Sequence, residues 1–163
     1  MKKICMSLMV LAIVCTLIAS ATAAAALSGK AFAYAKGALV ALADGDFDKV
    51  VTHLPFSGVS PSAGEWKSFA ENAFSRLIGS NPQTTYAVAY WTGNVWKIAV
   101  PVSTPDNPAV ETFVLTSEDG ERFMGYGCTT WSSVVSEYQN ASHVTWNDEY
   151  SGSTSAIIES DHD

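Results

Sequence analysis

The 163-residue chain holds nine Lys and Arg against sixteen Asp and Glu, a length that suits one domain around one core. After Lys2 and Lys3 its basic residues stand singly, so it lacks the clustered cations that phosphate needs, which excludes nucleic acid and anionic lipid as partners. Two of its three cysteines, Cys5 and Cys15, lie in the first fifteen positions, which excludes an internal disulfide framework.

Met1-Lys2-Lys3, an apolar run over 4–19 and a small-residue stretch over 20–26 follow the order of a secretory signal peptide, bacterial in its short charged start. Residues 1–26 are expected to be removed, with cleavage between Ala23 and Leu27 and export to the periplasm or the medium. The apolar run is too short and too poorly flanked for a stable membrane span. Lipidation at Cys15 is not expected, because bulky Val14 precedes it. The exported remainder has seven basic and sixteen acidic residues, a formal charge of −9, and Cys128 as its single thiol.

A first helix is predicted over 28–43, where Phe32, Ala35, Leu39 and Leu42 recur at helical spacing and Asp44-Gly45 ends the run. Asp46 can cap a second over 47–54, limited by Pro55. Ser62-Ala63-Gly64-Glu65 has the pattern of a capping box, and Trp66, Phe69, Ala70, Ala73, Phe74 and Leu77 follow as one stripe, predicting a third helix that Gly79 terminates.

Residues 83–102 form two β-rich runs around Gly93-Asn94, a dipeptide that a two-residue hairpin accepts. Counting outward pairs Trp91 with Trp96, Ala89 with Ile98 and Ala87 with Val100 on one apolar face. The other face carries Tyr86, Val88 and Tyr90 against Pro101, Ala99 and Lys97, and is expected to be half wet. A loop over 103–108 leads to a second hairpin turning at Asp119-Gly120, which pairs Leu115 with Met124, Phe113 with Tyr126 and Glu111 with Cys128. A short helix over 131–139, a last strand over 143–150 and a disordered acidic tail over 151–163 complete the chain.

The fold class is therefore α+β, as a single domain over 27–150: three N-terminal helices on a curved four- to five-stranded antiparallel sheet, with a short helix near the C-terminus. The start Ala38-Leu39-Val40-Ala41-Leu42-Ala43-Asp44-Gly45-Asp46-Phe47-Asp48, followed by a third helix and a strand meander, resembles the nuclear transport factor 2-like superfamily over about Phe32 to Thr129. That resemblance implies a cone whose bent sheet wraps a long helix, often with a pocket at its open end.

The residues give little chemistry. His53, His143 and His162 have no metal-ligand spacing, and no cofactor motif occurs. Cys128 has no base at a spacing typical of thiol hydrolases and is expected to be a shielded, structural thiol. Aromatic residues are the remaining signal. Tyr86, Tyr90, Trp91, Trp96 and Tyr126 are the candidates for a ligand-binding or interface surface, because flat amphipathic rings bind with little entropy lost. The expected function is an exported, non-enzymatic domain binding a small molecule or a protein. The alternatives are a metal-independent pocket isomerase or lyase, in which a carboxylate and a tyrosine would converge, and a structural partner or homodimer docked through the Tyr86/Tyr90 sheet face.

Overall fold

The structure is a computed structural model that describes residues 24–82, 86–104 and 107–147. Of the expectations above, the signal segment up to Ala23, the 83–85 end of the first hairpin, residues 148–150 of the last strand and the tail over 151–163 fall outside the described residues.

Among the described residues three helices come first: α1 (Ala31–Ala43), α2 (Phe47–His53) and α3 (Ala63–Ala73). α1 begins three residues later than its apolar pattern: the Ser28 amide donates to the Asp119 carbonyl at 2.7 Å, and Gly29-Lys30 form a turn before the helix. It buries Ala35, Ala38, Leu39 and Leu42 completely, which for each leucine contributes about 2 kcal/mol of apolar burial. The turn after it follows the sequence: Gly45 takes φ +71°, and the Asp46 side chain accepts from the Lys49 amide to cap α2. The capping box of α3 is complete, with Ser62 and Glu65 each accepting from the other's amide.

α3 is shorter than predicted. Phe74 leaves helical geometry at φ −135°, although Phe74 and Leu77 stay buried through the following turns. Gly79, at φ +79°, directs its amide to the Ala43 carbonyl at 2.7 Å. It ties the chain to the end of α1 rather than closing α3.

The sheet has five antiparallel strands, β1 (Val88–Trp91), β2 (Trp96–Thr104), β3 (Asn107–Ser117), β4 (Phe123–Thr130) and β5 (Val144–Trp146), in the order β4-β3-β2-β1-β5. The first hairpin has the expected register, with Trp91 opposite Trp96 and Ala89 opposite Ile98, and the Thr92 amide closes its tip on the Val95 carbonyl. The expected loop over 103–108 is mostly strand, since β2 and β3 pair as far as Thr104 and Asn107.

The second hairpin departs from its expected register. Its turn is a five-residue loop rather than Asp119-Gly120 alone, organised by two side chains. Ser117 Oγ accepts from Gly120 N, and Asp119 Oδ1 accepts from Glu121 N and Arg122 N. A bulge then leaves Met124 unpaired and exposed, so Leu115 faces Tyr126 and Phe113 faces Cys128.

α1, α2 and α3 cover one face of the sheet around the main core, where Trp66, Phe74, Ile98, Phe113, Leu115 and Phe123 are buried. A fourth helix, α4 (Trp131–Tyr138), covers the other face and forms a second small core from Trp131 and Val134 against Val88, Tyr90 and Ala99. This corrects the expectation of a half-wet Tyr86/Tyr90 face open to a second copy: the chain's own α4 sits on it, and Tyr90 is 1% exposed.

Candidate functional site

A cleft of about 830 Å³ opens between the extended segment 24–29, the first turns of α1 and strand β5. Each wall is fixed by identifiable bonds. Trp96, the first residue of β2, donates its indole Nε1–H to the Ala25 carbonyl at 2.7 Å. The Ser28 bond to Asp119 holds the other end of the segment, and Gly120 is what allows it. A Cβ on Gly120 would stand 2.8 Å from both Ala31 Cβ and Leu27 Cδ1, and its φ of +79° already favours glycine. The facing wall, β5, is positioned by two bonds to β1, from Trp91 N to His143 O and from Asn147 N to Ala87 O.

Apolar residues make much of the lining, chiefly Leu27, Phe32, Trp96, Val144 and Trp146, the last with its ring packed against Trp131 and Tyr138. Lys36 and His143 also face the cleft, and among the described residues no Asp or Glu lines it. In a chain with sixteen acidic residues these described walls are the local reverse of the overall charge. Asn147 also lines the cleft, and its Nδ2 is buried without a hydrogen-bond partner.

The five aromatic candidates separate into three groups. Trp91 and Trp96 are cross-strand neighbours with ring centroids 5.7 Å apart at 60°. At 6% and 4% exposure they belong to the core rather than to an open hairpin tip, although Trp96 borders the cleft. Tyr86 and Tyr90 lie under α4, with the Tyr86 ring edge-on to Trp131 at 5.2 Å. Tyr126 is half-buried on the opposite face, its ring 4.0 Å from that of Trp66 in a cluster with Phe56 and Phe69. Burial there, with the nearby Glu65 charge, pushes its hydroxyl pKa up.

Two features were not legible as sites in the sequence. Tyr90 Oη donates to Glu137 Oε2 at 2.9 Å, and Lys97 Nζ pairs with the same oxygen. Burial, and then the Glu137 carboxylate, raise the Tyr90 pKa far enough that its hydroxyl stays protonated. Burial works against the charge of Glu137, but the Lys97 and Tyr90 hydrogen bonds outweigh it and hold the carboxyl below the usual glutamate range. Here a carboxylate and a tyrosine do converge, beside a second hollow of about 590 Å³. A lysine neutralises the pair, and the arrangement clamps α4 to β1 and β2. The other feature is the alanine-rich segment 24–29 itself, whose small residues carry no signal beyond that of a cleavage region.

Cys128 is exposed, which corrects the expected shielding. It lies opposite Phe113, but β4 is the edge of the sheet, so the helices leave its side chain in solvent. His53 packs edge-on to Tyr34 at 5.6 Å, with Nε2 3.4 Å from the Ala33 carbonyl. Among the described residues no three His, Cys, Asp or Glu side chains gather as metal ligands, and no helix is long and apolar enough to cross a membrane.

Comparison of the chain with protein-family models, with curated proteins and with solved structures gives no match.

Proposed function

We propose that the protein is an exported, non-enzymatic binding domain, cleaved at the first bond of the expected range, after Ala23, so that the 24–29 wall is retained. It seats a small ligand or a segment of a partner protein in the cleft beside Trp96. The observation that carries this reading is the cleft's composition: an apolar floor with an indole, and described wall residues that include no carboxylate, in a strongly acidic chain. Binding sites combine an apolar lining with a few convergent polar groups, and Lys36, His143 and Asn147 fill that second role. The order of three helices followed by an antiparallel meander supports the resemblance to the nuclear transport factor 2-like superfamily. α4, lying on the outer face, stands apart from a bare cone. The signal-like start supports export.

A second reading, a metal-independent enzyme, draws on the Tyr90–Glu137 contact. The Lys97 ion pair and the protonated phenol argue for a clamp rather than a general base.

The test is a ligand-observed NMR screen with aromatic fragments of each charge and with short peptides, run on the exported protein and on Ala33→Trp. Ala33 is an exposed α1 residue that lines the cleft, so the indole blocks it at little structural cost. Binders lost in Ala33→Trp support the reading. An absence of binders of either kind, or binders indifferent to the blockage, rejects it.

A further inference from the structure

We propose that the cleft takes an extended peptide, which adds as a further strand to the edge of β5 that faces away from β1. This rests on the binding reading above and names the class of its ligand.

The argument starts from the ladder. β5 is the outermost strand beyond β1, with Ala89 opposite Thr145 and Val88 opposite Trp146. The bonds Trp91 N to His143 O and Asn147 N to Ala87 O turn the backbone groups of the odd-numbered residues toward β1. In an antiparallel pair the alternate residues direct both their N–H and their C=O the other way. Val144 and Trp146 therefore present two donors and two acceptors outward, and outside the strand ladders no backbone bond among the described residues uses them.

The lining of the cleft shows that this edge faces into it. A strand seen face-on contributes every second residue to a surface, because successive side chains point to opposite sides. β5 instead contributes Val144, Thr145 and Trp146 alike, so residues of both strand faces border the cleft, as they do where a strand meets it edge-on.

Charge and shape narrow the occupant further. Among the described lining residues Lys36 and His143 are the basic ones and none is Asp or Glu, a composition that favours a neutral or acidic peptide over a basic one. Leu27, Phe32 and Trp96 provide an apolar surface for the side chains that such a strand turns inward. The other sheet edge, β4, is less free, because the Phe123 carbonyl at its start already accepts from Ser57 N, and Phe56 bridges to Phe123.

The experiment selects linear heptapeptides from a phage-displayed library on the exported protein and measures the best synthetic peptide by titration and by amide exchange. The Val144 and Trp146 amides should exchange at least about tenfold more slowly in the complex than in the free protein, while the Thr145 amide changes little. Val144→Pro removes an outward donor without taking a bond from the β1 ladder, and should weaken the peptide by about tenfold or more, whereas Val144→Ala should not. The exchange measurement needs no variant, so the proposal stays falsifiable if the proline variant fails to fold. Peptides that bind without protecting these two amides overturn the proposal, as does a library that yields no binder. Fragments that still bind in an Ala33→Trp-sensitive manner while peptides fail would overturn this inference alone. Failure of both would remove the cleft reading with it.

Discussion

Trp96 bonds through its indole to the carbonyl of Ala25, seventy-one positions earlier, so a residue paired with Trp91 inside the core also tethers the chain where it enters the domain. Trp96→Phe keeps an aromatic ring opposite Trp91 but removes the donor. The part-buried Ala25 carbonyl then loses its partner, which should cost about 1 kcal/mol in denaturant unfolding. The amides of residues 25–28 should exchange faster, and affinity for any cleft ligand should fall. Unchanged exchange in that segment would show that the tether does not hold the wall.

The same pair shows what local sequence determined. Gly-Asn between two β-rich runs fixes a hairpin by turn chemistry, and the Trp91–Trp96 register follows by counting. Ser62 and Glu65 fixed the start of α3 in the same way, through two bonds made within four residues. The second hairpin resisted counting because Ser117 and Asp119 use their side chains to widen the loop, and a bulge at Met124 absorbs one more residue. No local rule announces either. The cover over Tyr90 was out of reach for a different reason. The inward stripe of α4 was legible, but the side of the sheet on which a helix packs is a tertiary choice, and it depends on Glu137 meeting Lys97 and Tyr90 forty and more positions away. The cleft wall at 24–29 was hidden still further, since alanine and glycine have no pattern to read.

Gly37 on α1 makes room for the His53 ring of α2. A Cβ there would lie 2.3 Å from His53 Nε2 and 2.7 Å from Cε1, closer than any real contact allows. Gly37→Ala should raise intrinsic helix propensity, yet destabilise the protein by about 1–3 kcal/mol through overpacking. His53→Ala removes the obstacle, so the double variant should recover most of the loss in chemical denaturation. A Gly37→Ala protein at least as stable as the parent would mean that the ring moves aside freely.

Cys128 is reachable but not reactive. Its side chain is exposed on the edge strand, while burial of the sulfur against the strand, and then the Glu111 charge, raise its pKa above that of an ordinary thiol. The folded protein should label completely with a thiol reagent at neutral pH, more slowly than free cysteine, and the rate should keep climbing past the pH at which a free thiol levels off. Cys128→Ser should change stability by no more than about 0.5 kcal/mol, as at other surface positions. Labelling only after unfolding would restore the shielded placement that the sequence had suggested.

The Tyr90–Glu137–Lys97 clamp gives opposite signs at the two ends of the pH scale. The pKa of Tyr90 is raised in the folded state, so its contribution is complete below the unfolded phenol value, near 10, and is lost as pH climbs beyond it. Tyr90→Phe has no proton to lose there, so its stability should fall less steeply than the parent's above about pH 10. The pKa of Glu137 is lowered, so its contribution is present above the unfolded glutamate value, near 4.3, and fades as pH drops through the folded one. Glu137→Gln should therefore cost stability at neutral pH and converge with the parent in acid. Because the side chains of Lys97 and Glu137 keep 32% and 45% of their exposure, solvent screening limits that cost to less than about 1 kcal/mol. Urea unfolding of the parent and both variants across the pH range measures all three curves. The clamp fails as an explanation if Tyr90→Phe tracks the parent above pH 10, or if Glu137→Gln stays apart from it in acid. In that event the apolar contacts of Trp131 and Val134 alone would hold α4 to the sheet.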